Sequence, residues 1–445
     1  MKNLTAFFIV FLLTLELSAQ SIEQKIDKLL YAYFKDHKLN GTVLVAQKGK
    51  VLYQKGFGYK NAEEKFANDE NSIFQIGSIT KQMTAAVIMQ LQQENKLSVR
   101  DKLSKYFEGF TNGDKITIEH LLTHTSGIYN YTNDTVIMKN NVAKHYSQQE
   151  MVALFKSYPS DFEPGTKWSY SNSAYSLLGY IIEKVEGKPY EVVVRERIFQ
   201  PLGMTHSGFD FTHLTSADKT KGYFSLAQQP VPAPIVDSTI AYSAGAVYST
   251  VGDLYKWERA IYTARILNPE SWKTVFTPFK NNYGYGWAID TLYGRQYMAH
   301  SGGIHGYSSY ILRFPQDELA VIVLDNASSN ALAKISKSLA AVVMDKPYEI
   351  PAEKKEIQLP ETVLKQYTGE YQLAPNFSIT VFLEGSQLKA QATGQPSFDL
   401  YAEKENLFFL KVVDAKVEFI KNDKGAVTEL ILYQNGRQPR GKKIK

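Results

Sequence analysis

The chain has no cysteine among its 445 residues. That excludes a disulfide framework, thiolate catalysis, zinc-thiolate sites and a lipid carried on an N-terminal cysteine, so stability has to come from the core. Charge of one sign is never concentrated: a net charge of +5 is mild for this length, and no block of Lys or Arg marks a nucleic-acid groove. The basic end, Arg440-Gly-Lys-Lys-Ile-Lys445, reads as a solvated tail. Neither Gly-x-Ser-x-Gly nor His-Glu-x-x-His occurs, which removes the nucleophile elbow of α/β-hydrolases and the helical zinc motif. His120 and His124 have the spacing of a metal pair, but Glu119 lies outside it, and both are read as shaping the loop at Thr125-Ser-Gly127.

Long apolar runs are also missing, apart from Leu4 to Leu15. Preceded by Lys2 and followed by Leu17-Ser18-Ala19, that run is too short to span a bilayer comfortably and reads as a secretory signal over residues 1–19. The mature chain is expected to begin near Gln20, periplasmic or secreted, with no stable membrane anchor after cleavage.

What is present is the composition of a soluble globular protein, 44% apolar and 21% charged, in a chain longer than one core usually organises. Ile22, Ile26, Leu29, Leu30, Tyr33 and Phe34 follow helical spacing. Thr42 to Ala46 and Lys50 to Gly56 form a hairpin pattern around Gln47-Lys48-Gly49. Tyr307 to Phe314 and Leu319 to Leu324 read as paired strands around Pro315-Gln-Asp317, with a helix over Leu332 to Met344. These strands can join the N-terminal pair in one antiparallel sheet, with the mixed middle of the chain as a helical cluster beside it.

Residues 346–360 lie in a polar stretch with three prolines and read as a linker. Over residues 361–445 the pattern changes to short alternating strands, among them Ile379/Val381/Leu383, Leu388/Ala390/Ala392 and Val417/Phe419. Turns at Glu384-Gly385, Asp423-Lys-Gly425 and Asn435-Gly436 separate them, as in an all-β barrel.

Chemistry is concentrated at Ser78 and Lys81, which open the apolar stretch Phe74 to Met89. Residues three apart share a helix face, so the amine can lie against the hydroxyl and act as the base an alcohol needs to attack a carbonyl. A helix start adds backbone N–H groups suited to a developing oxyanion. Ser216/Lys219 and Ser386/Lys389 have the same spacing, but in a polar loop and a hairpin. Tyr170-x-Asn172 stands just before another apolar helix: a phenol whose pKa is lowered by a nearby ammonium can relay protons, and the amide can orient a substrate. His300-Ser301-Gly302-Gly303 precedes the Tyr307 strand, and its glycines allow a strand edge to approach an extended acyl substrate. An isolated histidine is more often structural.

Taken in order, Ser78-x-x-Lys81, Tyr170-x-Asn172 and His300-x-Gly302 resemble the three motifs of the serine β-lactamase and penicillin-binding protein superfamily. The flanks Leu121-Leu-Thr-His-Thr-Ser-Gly127, Glu163-Pro-Gly165, Pro201-Leu-Gly-Met204 and Ser243-Ala-Gly-Ala-Val-Tyr-Ser-Thr250 are similar to the branch with class C β-lactamases, DD-peptidases, D-aminopeptidases and esterases. The resemblance implies an α+β fold: a β-lactamase/transpeptidase-like antiparallel sheet flanked by helices, with a helical subdomain, over residues 20–345. The C-terminal part resembles the lipocalin-like barrels appended to such hydrolases.

The resemblance further implies Ser78 as nucleophile, Lys81 as its base or the group that keeps Tyr170 basic, and Tyr170 as proton carrier. Asn172, His300, Ser301, Gly302 and Gly303 would bind substrate, and the N–H groups of Ser78 and Gly303 would form the oxyanion hole. No metal or organic cofactor is implied. The substrate would be a small ester or a short D-amino-acid peptide, including peptidoglycan-derived ones, handled by a carboxypeptidase, D-aminopeptidase or esterase. A class C-type β-lactamase and a non-catalytic penicillin-binding or sensor protein are the alternatives. His300 stands where class C β-lactamases have lysine, so a permanent cation is replaced by a group charged only part of the time near neutral pH. Ser301 keeps the hydroxyl of the middle position.

Overall fold

The computed structural model describes residues 20–227, 229–352, 355–411, 415–434 and 437–445. The expected signal, residues 1–19, and the Asn435-Gly436 turn lie outside them. Five helices matter for the site: α1 (Ile22–Lys35), α2 (Thr80–Gln93), α3 (Asn172–Glu186), α4 (Ser238–Gly245) and α5 (Leu332–Val343). Helix α1 opens on a capping box, in which Ser21 Oγ accepts from the Gln24 amide and the Gln24 side chain accepts from the Ser21 N–H. Among the described residues no helix is long and apolar enough to cross a membrane.

Strands β1 (Gly41–Gln47) and β2 (Lys50–Phe57) form the first hairpin. They share one sheet with β3 (Ala288–Leu292), β4 (Arg295–Ile304), β5 (Tyr307–Phe314) and β6 (Leu319–Asp325). The order is β2-β1-β6-β5-β4-β3 and every pairing is antiparallel. Pairing β1 with β6 closes a separation of nearly the whole domain in sequence, Gly41 standing opposite Asp325.

Both faces of the central strands β1 and β6 are buried, and the two-residue strand period sorts side chains between two cores. Val43, Val45, Leu312, Phe314, Val321 and Val323 pack with α1 and α5. Leu44, Ala46, Ile311, Ile322 and Leu324 face the opposite core, which holds α2 and α3. All seven residues of β6 are buried for this reason, and the strand reads as a continuous apolar run.

The helix expected from Phe74 onward begins only at Thr80. Phe74–Gln75 is a short strand paired with Tyr248–Ser249, and Gly77–Ile79 is a 3-10 turn that carries Ser78. Two long-range bonds impose this: Ile76 N–H donates to Val247 O, and Val247 N–H donates to Thr80 Oγ1. Gly77 takes φ +52 to turn the chain between them. Tertiary pairing thus overrides an apolar pattern that by itself extends the helix backwards.

After residue 360, nine described strands form an antiparallel sheet with a core of its own. They are β7 (Gly369–Ala374), β8 (Phe377–Glu384), β9 (Gln387–Ala392), β10 (Ser397–Asp399), β11 (Tyr401–Ala402), β12 (Leu407–Phe409), β13 (Ala415–Lys421), β14 (Val427–Gln434) and β15 (Arg440–Lys443). The order β10-β9-β8-β7-β15-β14-β13-β12-β11 brings two chain-adjacent strands to the free edges, so the barrel is nearly closed. Tyr367, Tyr371, Phe408, Phe419 and Leu430 fill it. Tyr348 and Ile350 pack on the core that holds α1 and α5, and Leu359 packs on the barrel core.

Candidate active site

Lys81 is the second residue of α2 and is completely buried. Burial alone drives its pKa well below the ordinary 10.5, because no carboxylate compensates an ammonium there. A neutral primary amine has two N–H groups and one lone pair. Both N–H groups have carbonyl acceptors, Asn172 Oδ1 at 2.8 Å and Ala244 O at 2.8 Å. The remaining neighbour is Ser78 Oγ at 3.1 Å, so the lone pair faces the serine hydroxyl. That is the geometry of a general base beside its alcohol.

Tyr170 precedes α3 in an extended stretch, and Ser171 caps the helix by accepting from Ala174 N–H. The Lys81 amine lies 4.8 Å from the Tyr170 ring centre, and the phenol lies near the Ser78 side chain. The sequence suggests a phenol pKa lowered by an ammonium; the opposite holds. Burial pushes the Tyr170 phenol above its ordinary 10.0, and with Lys81 neutral there is no cation to pull it down. Tyr170 therefore keeps its proton near neutral pH and is placed as a donor. Asn172 begins α3, and its Nδ2 donates to Thr132 Oγ1 while its Oδ1 accepts from Lys81.

The third motif lies on β4. Strand β3 pairs with Arg295–Ala299 of β4 and stops there, so among the described residues His300 to Ile304 keep an edge without a strand partner opposite β5. Ser301 and Gly303 are exposed on this stretch, as an added substrate strand requires. Gly302 is buried: a Cβ there would come within 2.0 Å of Ile76 O, so its missing side chain serves chain packing. Gly77 approaches the same strand so closely that a Cβ would meet Gly303 N at 2.8 Å, which brings the Ser78 turn against Gly303.

His300 is buried, and both ring nitrogens are occupied. A carbonyl only accepts, so Nδ1 carries the proton and donates to Ser301 O at 2.6 Å; Nε2 then accepts from the Tyr283 hydroxyl at 2.8 Å. Burial is the main cause that pushes the imidazole down from 6.5 to about 4. The partial charge expected near neutral pH is therefore absent, because the ring sits behind the sheet edge and out of water.

This makes a stability prediction. The folded state holds His300 neutral while the unfolded chain protonates it below 6.5, so its contribution is complete above that pH and is lost as pH falls through about 4. At 1.36 kcal/mol per unit, about 3 kcal/mol of acid sensitivity should disappear in His300→Gln. Urea unfolding at pH 7 and pH 4 measures it, and parallel losses in both proteins would contradict a neutral His300.

Residues that the motifs do not contain complete the site. His124, at φ +57, is buried with its Nδ1 accepting from Ser171 N–H, which fixes the residue beside Tyr170. Its ring lies 4.3 Å from Tyr170 and 4.8 Å from Tyr283, with Trp168 at 6.0 Å. His120 is used elsewhere: its Nδ1 accepts from Thr117 N–H in a capping box. Tyr283 and Thr132 carry no local sequence signal. The Ala244 carbonyl lies inside the Ser243–Thr250 flank, but a backbone acceptor leaves no mark on residue type. Of the two other Ser-x-x-Lys pairs, Lys219 donates to Thr212 O and Lys389 pairs with Glu384 and Asp399, so neither amine serves its serine.

A family model described as Beta-lactamase matches residues 22–343, and one described as a domain of unknown function (DUF3471) matches residues 353–443. A penicillin-binding protein of Bacillus subtilis (strain 168) is 29% identical over 429 residues, covering 90% of this chain and 94% of the relative. The octameric penicillin-binding protein homologue from Pyrococcus abyssi superposes with a TM-score of 0.66 at 27% identity, covering 94% of this chain and 99% of that one. A D-stereospecific amidohydrolase from Streptomyces sp. superposes with a TM-score of 0.62 at 26% identity, covering 71% of this chain and 99% of that one. The family match spans well over half of the chain and contains all three motifs: the chain belongs to the β-lactamase family and is a serine hydrolase.

Proposed function

We propose that this serine hydrolase works through an ester on Ser78 and prefers esters or D-amino-acid amides and peptides whose leaving side carries no carboxylate. The observation that carries the acylation step is the Lys81 amine, uncharged, with both N–H groups bound and its lone pair toward Ser78 Oγ. In that step Lys81 takes the Ser78 proton as Oγ bonds to the acyl carbon. The N–H groups of Ser78 and Gly303 receive the oxyanion. As the bond to the leaving group breaks, Tyr170 passes its proton to the departing nitrogen or oxygen and is reprotonated from Lys81. Water then attacks the ester with the same groups in reverse.

His300 narrows the substrate. With a neutral ring and both nitrogens bound, it offers a substrate carboxylate neither charge nor a free donor. A buried carboxylate without a partner is costly, which disfavours both D-Ala-D-Ala carboxypeptidase and β-lactamase chemistry relative to amidase or esterase chemistry. The Streptomyces relative, by its description a D-stereospecific amidohydrolase, fits this reading. The secretory pattern of residues 1–19 supports a location outside the cytoplasm as part of the same proposal.

Steady-state turnover of a D-alanine anilide, an aryl ester, a D-Ala-D-Ala peptide and a chromogenic cephalosporin tests the preference. The neutral substrates should exceed the carboxylate-bearing ones in kcat/KM by about tenfold or more, corresponding to roughly 1.4 kcal/mol. Faster turnover of the cephalosporin or the dipeptide would sink it. A stable mass adduct with no turnover of any substrate would instead favour a binding or sensor protein.

A further inference from the structure

Helix α4 is broken at Tyr242, which has φ 37 and ψ −140. A bulky residue in that region is strained, and such strain persists only where the surroundings over-determine it. Here they do: the Tyr242 ring is buried, stacked on Tyr180 at 4.5 Å, 5.3 Å from Tyr190 and edge-on to Phe209 at 5.9 Å. Gly179 of α3 leaves the necessary room, since a Cβ there would meet Ser243 Oγ at 2.2 Å and Tyr242 Cε1 at 2.7 Å.

The break redirects the next two carbonyls. Ser243 O accepts from Thr84 Oγ1 at 2.7 Å, and Ala244 O accepts from Lys81 Nζ at 2.8 Å. Ser243 Oγ donates to Tyr175 O at 2.8 Å, which ties the same turn to α3. Continued as an ordinary helix through Tyr242, the chain would spend these carbonyls on its own later N–H groups.

We propose that Tyr242, through its left-handed backbone, is a positioning residue that aims the Ala244 carbonyl at the Lys81 amine and so directs the amine toward Ser78. The inference rests on the proposed reading of Ser78 and Lys81 as the acylation pair. With one N–H held by Ala244 and the other by Asn172, the lone pair has one direction left; without Ala244 the amine can rotate about its last bond.

Tyr242→Gly and Tyr242→Ala separate backbone from side chain, because both delete the ring and only glycine tolerates this φ without strain. The readout is the rate of Ser78 labelling by a fluorophosphonate in the full-length protein across pH. The glycine variant should label about tenfold faster than the alanine variant and keep the wild-type pH profile. The acid limb of the alanine variant should move to lower pH, since an acceptor that favours ammonium is lost. Equal rates and profiles for the two variants would overturn the proposal. Should the ring deletions fail to fold, Thr84→Val removes the donor that pins Ser243 while keeping shape: it should slow labelling and move the profile, and an unchanged profile would count against the proposal. Labelling that survives Ser78→Ala would instead overturn the acylation reading itself.

Discussion

Ser78→Ala should abolish covalent capture by a fluorophosphonate and lower turnover of the preferred ester or amide by roughly four or more orders of magnitude. The size follows from the chemistry: with no Oγ there is no acyl-enzyme, and the remaining groups can act only on water. Ser78 is only half-buried, in the 3-10 turn before α2, so the change should be nearly silent for folding. Intact-protein mass after incubation reads the adduct directly. A wild-type-sized adduct in a folded Ser78→Ala protein would remove Ser78 as the nucleophile, whatever its place in the motif.

Replacement of Lys81 is expected to be nearly as severe, and two substitutions separate its roles. Lys81→Met keeps the length and loses the lone pair, so kcat/KM should fall by about a thousandfold, the usual scale of a lost general base. It also strands the Asn172 and Ala244 acceptors, each costing about 1–3 kcal/mol of stability when buried without a donor. Lys81→Arg restores donors but stays protonated at any accessible pH and so cannot take the serine proton. Arginine should therefore recover neither rate nor stability, the latter read by thermal unfolding, because it places a permanent cation where no carboxylate compensates one. Activity within tenfold of wild type in Lys81→Arg would mean that a positive charge, not a base, is what the site requires.

Much of the architecture is legible in residue patterns. The Tyr307–Phe314 strand and the Lys50 strand follow from apolar and β-rich runs punctuated by turns, since strand formation there satisfies both local preference and core burial. The start of α2 was not legible. Phe74 to Met89 is apolar throughout, and only the bonds of Ile76 and Thr80 to Val247 separate strand, turn and helix within it. Tyr283 was invisible for a related reason: its hydroxyl reaches His300 across a loop and a sheet edge, and nothing nearby in sequence marks that contact.

By itself the sequence determined which groups are available and in what local order: a hydroxyl and an amine three residues apart, a phenol and an amide before a helix, an imidazole beside glycines. Those are properties of residue type and short-range spacing. Only the tertiary structure decided their protonation. Lys81 is a base, Tyr170 a donor and His300 a neutral hydrogen-bonding group because segments far apart in the chain bury them, and the cost of a buried charge depends on what surrounds it rather than on the residue's own neighbours in sequence.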